Sequence, residues 1–365
     1  MRLVRLVTQG FRNLDGLDLQ TDARFVVVHG PNAQGKTNLL EAVWLLATLR
    51  PLRSHRVRDL VTWEQEQATV SGWVRGEAGT RHLRVDLGGP RRTAQLDGKA
   101  VGDLDDYFAW VRAIAFTPAD GAIVTEGPAL RRTWLDRAAF TAQPAHLGRV
   151  RELQRVLAQK SALLASDRPD TALLDVLDQQ LARAGAALVE ARVQTLRALA
   201  PHVRTLHRAI AGLEVDVQVR YRTEATGDDP AARQEALAVR LRSARRDELR
   251  RRRTLVGPQK DEVRLDLEGH AARHFGSRGQ VRSLVLAMKL AELVAARARG
   301  DRPIFLLDDL SSELDRARTA RLVEQLVDLD AQVWVSTTDP AHLGALPPGE
   351  VVTLGVAEGR VTVSD

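Results

Sequence analysis

The stretch that decides the fold is VVVHGPNAQGKTNLLEAVWLL, residues 26–46. In it, a short apolar run, a glycine-rich loop ending in Lys-Thr and an amphipathic run follow one another without a break. The loop fits the phosphate-binding pattern G-x-x-x-x-G-K-[ST] at every position, and the flanking runs predict the strand and the helix that such a loop joins. We therefore predict a phosphate site formed by loop N–H groups and by the positive end of the helix.

The side chains of the loop have separate predicted roles. Lys36 would reach the β- and γ-phosphates of ATP and so serve both binding and catalysis, and the Thr37 hydroxyl would hold Mg²⁺. The loop residues assigned to the nucleotide are Gly30, Pro31, Ala33, Gln34, Gly35, Lys36, Thr37 and Asn38.

A second group of candidate residues lies in PIFLLDDLSSELD, residues 303–315. An apolar run places Asp308 and Asp309 at the carboxyl end of a buried strand, where parallel α/β sheets present their ligand groups. Two adjacent carboxylates there are costly unless a cation or hydrogen bonds compensate their charge. We expect Asp308 to hold the Mg²⁺ and Asp309 to orient the water that attacks the γ-phosphate.

The third group lies in HFGSRGQVRSLVLAMKLAELV, residues 274–294. A Ser-Arg-Gly-Gln turn leads into a long amphipathic helix, so Ser277 and the free N–H groups behind it predict a second anion site. An ordinary helix cap is the simpler interpretation of this turn. The order of the segments favours the anion site, because a phosphate loop and a long insertion precede the turn and the Asp-Asp strand follows it.

The composition of the 365-residue chain narrows the class of protein. No apolar run approaches the ~20 residues that span a bilayer, and the opening MRLVRLVTQGF lacks the apolar core of a signal peptide. The absence of cysteine fits a reducing cytoplasm, where we expect the protein to act. The chain has a net charge of +6 and is rich in arginine, which fits either DNA binding or a GC-rich genome. Because aromatic residues make up only 4%, DNA phosphates are favoured over stacked bases as the contact.

Hydrophobic periodicity predicts an α/β fold. Alternating runs at residues 1–9, 15–20 and 24–30 predict strands, and the alternation between residues 62 and 101 predicts antiparallel hairpins. The two candidate sites described first both follow an apolar strand, as they would in such a sheet.

From residue 128 the pattern becomes mainly helical. An apolar stripe with heptad-like spacing predicts a helix that reaches Pro201. The stripe consists of Leu174, Leu177, Leu181, Ala184, Leu188 and Ala191. We predict a head formed by residues 1–127 and 255–365, split by a mainly helical insertion lobe at residues 128–254.

The order of these motifs resembles that of ABC-type ATPase heads, including those of the structural-maintenance-of-chromosomes proteins. SRGQ is similar to their signature motif and SSELD, residues 311–315, to their D-loop. Six segments that extend over nearly the whole chain resemble the RecF family of bacterial recombination-repair ATPases. They are FRNLDGLDL, GPNAQGKTNLLEAV, LRSHRVRDL, FTPADGAIVTEGPALRRTWLDR, LVGPQKDEVRLDLEG and ARHFGSRGQVRSLVLAMKLAE. The resemblance implies an ABC-type P-loop ATPase head with mixed sheets around the phosphate-loop helix.

The resemblance also implies a function. Members of this family bind DNA in an ATP-dependent way, help to load RecA at gapped DNA together with RecO and RecR, and act in recombinational repair, replication-fork maintenance and the SOS response. ATP and Mg²⁺ would join two chains into a homodimer that clamps gapped or double-stranded DNA without sequence preference, and slow hydrolysis would release it. Arg12, Asn13 and Asn32 would lie near the nucleotide. Ser277, Gly279 and Gln280 of one chain would complete the site of the other, with Ser277 counted as catalytic.

We expect a weak, DNA-stimulated ATPase, and three departures from the wider ABC pattern predict that its hydrolysis is slow. Asp309 stands where a longer glutamate is usual, and Thr338 stands where many of these ATPases have a histidine. No clear glutamine occupies the Q-loop region, where Asp120 is a possible substitute. A shorter base and a missing imidazole predict slow turnover.

The DNA-binding surface is predicted from charge alone. Arg50, Arg53, Arg56 and Arg58 follow the phosphate-loop helix closely, whereas the run of arginines at residues 250–253 is interpreted as a solvated face. Two alternative functions remain at this stage. A P-loop kinase of a small molecule would need its own acceptor pocket and would not use the SRGQ helix start, and a transporter ATPase is disfavoured by the helical insertion and the missing histidine.

Overall fold

Strands and helices alternate along residues 1–53, 56–89 and 92–364, which the computed structural model describes. The strands are β1 (Arg2–Gln9), β2 (Asp18–Gln20), β3 (Phe25–His29), β4 (Ala68–Gly76), β5 (Gly79–Leu87), β6 (Thr93–Leu96), β7 (Lys99–Ala100), β8 (Ala113–Phe116), β9 (Val217–Arg222), β10 (Glu262–Leu267), β11 (His270–Ala271), β12 (Ile304–Leu307), β13 (Val333–Thr337), β14 (Val351–Ala357) and β15 (Arg360–Ser364). The α-helices are α1 (Lys36–Thr48), α2 (Leu104–Phe108), α3 (Ala122–Thr125), α4 (Pro128–Ala142), α5 (His146–Ala165), α6 (Thr171–Ala211), α7 (Pro230–Arg251), α8 (Ala272–Phe275), α9 (Arg278–Ala298), α10 (Leu310–Glu313) and α11 (Arg316–Asp328). Short 3-10 helices lie at Val57–Leu60, Pro118–Gly121, Pro258–Lys260 and Pro340–Leu343.

The apolar run before the phosphate loop forms β3, a buried strand inside a six-stranded sheet of order β15-β14-β3-β13-β12-β8. All neighbouring pairs are parallel except β14 with β15. Parallel strands buried on both faces need continuous apolar runs, which β3, β12 and β13 supply. The carboxyl ends of β3, β8 and β12 therefore share one edge of the sheet, and they lead into the phosphate loop, Thr117 and Asp308 respectively.

A second, antiparallel sheet has the strand order β2-β1-β4-β5-β6-β7. The predicted hairpins between residues 62 and 101 are confirmed as β4 to β7, which pair consecutively; Arg91, which the predicted third run includes, lies outside the described residues. Alternate residues of β1, β4 and β5, such as Leu6, Val74 and Leu83, are buried on one face. This alternation is what a sheet with one solvated face requires.

Helix α1 contacts strands of both sheets, namely β13 and β8 of the first and β4 and β5 of the second. Ten of its thirteen residues are buried. A helix that is apolar on most sides is stable only inside a core, and this position fixes the start of α1 next to the carboxyl edge of the parallel sheet.

The chain separates into two units whose boundaries differ from the predicted ones. The head unit contains Met1–Gly121, Thr205–Glu214 and the described residues from Ser277 onward, and the insertion unit contains Ala122–Arg204 and Val215–Gly276. The predicted third segment began at residue 255, yet β10 pairs with β9 along its whole length and so belongs to the insertion unit. The alternation of GLEVDVQVRYR, residues 212–222, and of DEVRLDLEG, residues 261–269, predicts both strands, but it does not show that they pair with each other.

Helix α6 continues past Pro201, where the sequence stripe predicted that it would stop. A proline inside a helix removes one hydrogen bond and costs roughly 3 kcal/mol. Beyond it, Val203, Leu206 and Ile210 are buried, and each buried side chain of this kind contributes about 1.5–3 kcal/mol. Burial of the following turns therefore offsets the cost of the proline.

No helix among the described residues is both long and apolar enough to cross a membrane.

Candidate active site

The backbone of the phosphate loop is set by residues with positive φ angles. Gly30, Ala33 and Gly35 have φ angles of 146°, 65° and 119°. A Cβ atom at Gly35 would lie 2.9 Å from Asn13 Oδ1, and one at Gly30 would overlap the carbonyl oxygen of Val356. The two glycines of the motif are thus needed for both conformation and space, as the motif predicts.

Lys36 lies folded back over the loop. Its Nζ donates hydrogen bonds to the carbonyl oxygens of Gly30 (2.7 Å) and Pro31 (2.8 Å). Burial lowers the pKa of Lys36, and the carboxylates of Asp309 and Asp308 oppose that change. The loop carbonyls hold the ammonium group beside the two carboxylates.

Asp308 is buried at the end of β12 and is connected directly to the phosphate loop. Its Oδ1 accepts hydrogen bonds from Thr37 Oγ1 and from Ser336 Oγ, both at 2.8 Å. Burial raises the pKa of Asp308, and these two hydrogen bonds oppose the rise. The structure therefore brings together Thr37 and Asp308, the two residues predicted to hold a metal.

Asp309 has a different environment. Its backbone is left-handed, with φ 51°, and its N–H donates to Ser336 Oγ (2.8 Å). Its Oδ2 accepts a hydrogen bond from Ser312 Oγ (2.7 Å). Ser336 thus contacts both acidic residues, one through the side chain and one through the backbone, and no sequence motif pointed to it.

These groups line a cleft of about 410 Å³ at the carboxyl edge of the parallel sheet. The lining residues are Asn32, Ala33, Gly35, Lys36, Thr37, Asn38, Arg53, Thr117, Pro118, Ala119, Asp308, Asp309 and Ser336. The carboxyl edge of a parallel sheet is where such folds bind ligands.

A chain of hydrogen bonds connects the segment after β1 to the cleft. Asn38 Nδ2 donates to Asn13 Oδ1 (2.7 Å), and Asn13 Nδ2 donates to the Gln34 carbonyl oxygen (3.3 Å). Arg12 Nε donates to Oε2 of Glu41 (2.8 Å), which is fully buried in α1. Arg12 and Asn13 therefore lie against the phosphate loop and its helix, although neither lines the cleft itself.

Of the four arginines predicted to bind DNA, Arg53 differs from the others because it lines the nucleotide cleft. Its side chain lines the cleft and donates to Asn38 Oδ1 (2.8 Å). Glu41 holds the preceding backbone, since its Oε1 accepts the N–H of Leu52 (2.9 Å). Arg50, Arg56 and Arg58 are exposed, so the DNA-binding prediction continues to rest on them.

The predicted second anion site lies outside this cleft. Ser277 is the exposed N-cap of α9 and forms a capping box: its Oγ accepts the N–H of Gln280 (3.2 Å), and Gln280 Oε1 accepts the N–H of Ser277 (2.9 Å). Gly279 lies under Arg318, because a Cβ there would be 2.8 Å from Arg318 Nη1. Within one chain, Ser277, Gly279 and Gln280 are not part of the phosphate cleft.

Neither Asp120, the possible substitute for the Q-loop glutamine, nor Thr338, which stands where many ABC ATPases have a histidine, lines the cleft. Asp120 accepts the N–H of Thr117 (2.7 Å) and lies 3.5 Å from the ammonium of Lys289. Thr338 Oγ1 is 3.1 Å from Ser311 Oγ at the start of the SSELD segment.

A phosphate loop between β3 and α1, an Asp-Asp pair after β12 and a serine-capped helix after a long insertion together define an ABC-type P-loop ATPase head. The family model described as "RecF/RecN/SMC N terminal domain" matches residues 2–345. "DNA replication and repair protein RecF" of Myxococcus xanthus (strain DK1622) is 41% identical over 100% of this chain and 97% of its own length. The chain belongs to the RecF family, as its sequence resemblance predicted.

Two solved structures agree with this assignment. "Structure of the recombination mediator protein RecF-ATP in RecFOR pathway" superposes with a TM-score of 0.89 at 25% identity, over 100% of this chain and 99% of that one. A structure of the "SmcHead bound to the C-winged helix domain of ScpA" has a TM-score of 0.58 at 12% identity, over 99% and 96% of the two chains. The second likeness concerns the fold alone.

Proposed function

We propose that this chain is an ATP-dependent DNA-binding protein of DNA replication and recombinational repair. The observation that carries the proposal is the cleft in which Lys36, Thr37, Asp308 and Asp309 meet. Membership of the RecF family supports it, and one family neighbour of the same fold is described as a recombination mediator with ATP. No feature of the described residues favours a small-molecule kinase over this function.

The first step is the capture of ATP by a single chain. The N–H groups of residues 30–36 and the start of α1 would receive the phosphates, and Lys36 would exchange its bonds to the Gly30 and Pro31 carbonyls for bonds to phosphate oxygens. This exchange costs little free energy, because the ammonium keeps the number of its hydrogen bonds while the phosphate gains charge-assisted ones.

The residues present fit Mg²⁺. A hydroxyl and a carboxylate, 2.8 Å apart at Thr37 and Asp308, are hard oxygen ligands of the kind that bind this ion together with phosphate oxygens and waters. The described residues contain no group of three or more His, Asp or Glu side chains that could hold a metal by themselves, so a nucleotide would have to complete the site. When bound, the ion would neutralise phosphate charge.

Hydrolysis is assigned to Asp309. Its Oδ2 is occupied by Ser312, so Oδ1 is the oxygen left to orient a water. The carboxylate is one methylene shorter than that of a glutamate, and Thr338 supplies no imidazole. We infer slow hydrolysis, in which ATP acts as a switch and not as a motor.

The second step is the pairing of two heads. Ser277, Gly279 and Gln280 lie outside their own cleft, and the start of α9 is exposed. In the proposed homodimer, this helix start of each chain contacts the γ-phosphate held by the other. The dimer would close on gapped or double-stranded DNA without sequence preference, help to load RecA with RecO and RecR, and open after hydrolysis.

Binding of gapped duplex DNA with and without ATP and Mg²⁺ tests this function. We expect tight binding only with ATP, little dependence on sequence, and an affinity that falls with salt at a slope near −0.9 per phosphate contacted. Lys36→Ala is the control that should bind DNA as the nucleotide-free protein does. Equal affinity with and without ATP, or an affinity that barely changes with salt, would contradict the proposal.

A further inference from the structure

The turn between the last two strands lies against the phosphate loop. Strands β14 and β15 form a hairpin whose turn residues, Glu358 and Gly359, have φ angles of 49° and 80°, as in tight two-residue hairpins. The N–H of Glu358 donates to Gln34 Oε1 (2.6 Å), and the N–H of Gly359 donates to the Gln34 carbonyl oxygen (3.0 Å). Both turn amides therefore donate to the same residue of the loop.

Gln34 lies between the two left-handed residues Ala33 and Gly35. Its carbonyl oxygen also accepts a hydrogen bond from Asn13 Nδ2 (3.3 Å). The Gly359 carbonyl in turn accepts the N–H of Asp15 (3.1 Å). The orientation of the peptide unit between Gln34 and Gly35 is therefore fixed by groups that lie outside the loop.

Glycines allow the hairpin and the loop to approach so closely. A Cβ at Gly359 would overlap the carbonyl oxygen of Asn13, and a Cβ at Gly30 would overlap that of Val356. Gly30 therefore lets the loop approach β14, and Gly359 lets the turn approach Asn13, whose Nδ2 donates to the Gln34 carbonyl oxygen.

We propose that the Glu358–Gly359 turn is a positioning element of the nucleotide site, which holds the phosphate loop in its binding conformation before ATP arrives. The inference rests on the proposed ATP binding by this loop. The turn does not line the cleft, so it would act through Gln34. Because loop amides cradle the α- and β-phosphates, which ATP and ADP share, loss of the turn contacts should weaken both nucleotides equally. It should raise KM and leave kcat unchanged.

The chain offers a matched pair of substitutions for the test. Gly359→Ala and Gly349→Ala both place alanine at nearly the same positive φ, 80° and 79°, so both strain the backbone. A Cβ at Gly349 meets no described atom within 4 Å, whereas one at Gly359 would overlap the Asn13 carbonyl oxygen, so the turn must shift from its position against Gln34. Titrating each full-length variant with ATP and with ADP should show about tenfold weaker binding of both nucleotides to Gly359→Ala, because two hydrogen bonds are lost. Gly349→Ala should bind as the wild type does.

Gln34→Met keeps the test open if Gly359→Ala does not fold. It removes the Oε1 acceptor at similar length and retains the carbonyl, so we expect a loss of about fivefold for both nucleotides. Wild-type affinity in Gln34→Met, or equal affinities in the two glycine variants, would overturn the inference. A wild-type protein that binds neither nucleotide would overturn the proposed function instead.

Discussion

The head contains two helix starts that are candidates for binding phosphate, and they differ in how their N–H groups are used. Helix α1 begins after Gly35, which has no side chain to cap its first amides, and Gly35, Lys36 and Thr37 line the cleft. Helix α9 begins after Ser277, whose capping box with Gln280 satisfies two backbone donors from within. An anion at α1 meets free donors, whereas one at α9 must add to, or compete with, a completed cap.

This difference indicates which of the two phosphate sites a single chain can form and which needs a second chain. The first site is assembled in the single chain, with Lys36 and Asp308 already hydrogen-bonded. The second is a stable, exposed helix end whose remaining donors are the Arg278 and Gly279 amides and the Ser277 hydroxyl. We infer that ATP binds to the single chain first and that the second site acts only on phosphate presented by a partner.

The largest effect is expected from Lys36→Ala. The variant loses at least two charge-assisted hydrogen bonds of about 1.5–3 kcal/mol each, so ATP affinity should fall about a hundredfold or more. Calorimetric titration with ATP and Mg²⁺ measures it. Lys99→Ala, at an exposed lysine of β7, is the control and should bind normally. Nucleotide binding at wild-type strength in Lys36→Ala would show that α1 is not the first site.

Asp309→Asn should keep ATP binding and slow hydrolysis by about a hundredfold, at the lower end of general-base effects. The amide oxygen can still accept the Ser312 hydroxyl, so the fold of α10 should be retained. Single-turnover measurements should show a bound, unhydrolysed ATP and a longer lifetime on DNA. Asp308→Asn is the contrasting variant, which should lose the Mg²⁺ dependence of binding. Unchanged hydrolysis in Asp309→Asn would assign the water to another group.

Ser277→Arg tests the second site. ATP binding to the single chain should survive, while association in the presence of a non-hydrolysable ATP analogue and DNA should weaken about tenfold or more, because a bulky side chain replaces the cap at the proposed interface. Sedimentation with ADP and with the analogue measures it. Ser277→Ala should cost only about 1 kcal/mol of stability as a lost cap. A wild type that stays monomeric with the analogue, or a Ser277→Arg variant that dimerises normally, would remove the shared site.

The sequence predicted those parts of the site that are local. The glycines that the loop of residues 30–37 needs are visible in its own sequence, and Asp308 and Asp309 are placed by the apolar run that precedes them. Ser336, Glu41 and the Glu358–Gly359 turn were missed. Their partners lie far along the chain, and a lone serine, a helical glutamate and a Glu-Gly turn carry no motif.

Predictions from charge and local period were the weaker ones. The sequence around Arg50, Arg53, Arg56 and Arg58 does not show where each side chain points. Arg53 donates to Asn38 in the cleft. The period of β10 predicted a strand but not its partner β9, so the boundary of the head was misplaced. The apolar stripe predicted a helix that reaches Pro201, whereas burial of the next turns extends α6 to Ala211.

The smallest effect is expected from Ser336→Ala, which tests whether the first site depends on its internal hydrogen bonds. The Ser336 hydroxyl donates to Asp308 and accepts from the Asp309 amide, both at 2.8 Å. Its loss removes one of the two hydrogen bonds that Asp308 Oδ1 accepts and takes the acceptor from the partly buried Asp309 amide, at a cost of about 1–3 kcal/mol in stability. With Asp308 less well oriented, the Mg²⁺ concentration needed for half-maximal ATP turnover should rise about fivefold.

The matched control for this substitution lies on α9, the helix that carries the second site. Ser283 is as fully buried as Ser336, but its hydroxyl has no hydrogen-bond partner among the described residues. Ser283→Ala should therefore leave stability unchanged or slightly raised and should not alter the Mg²⁺ requirement. Thermal unfolding and Mg²⁺ titrations of turnover separate the two variants. If both behave alike, the carboxylates at the end of β12 hold their positions without the serine. The geometry that prepares the first site for ATP would then depend on the phosphate loop alone.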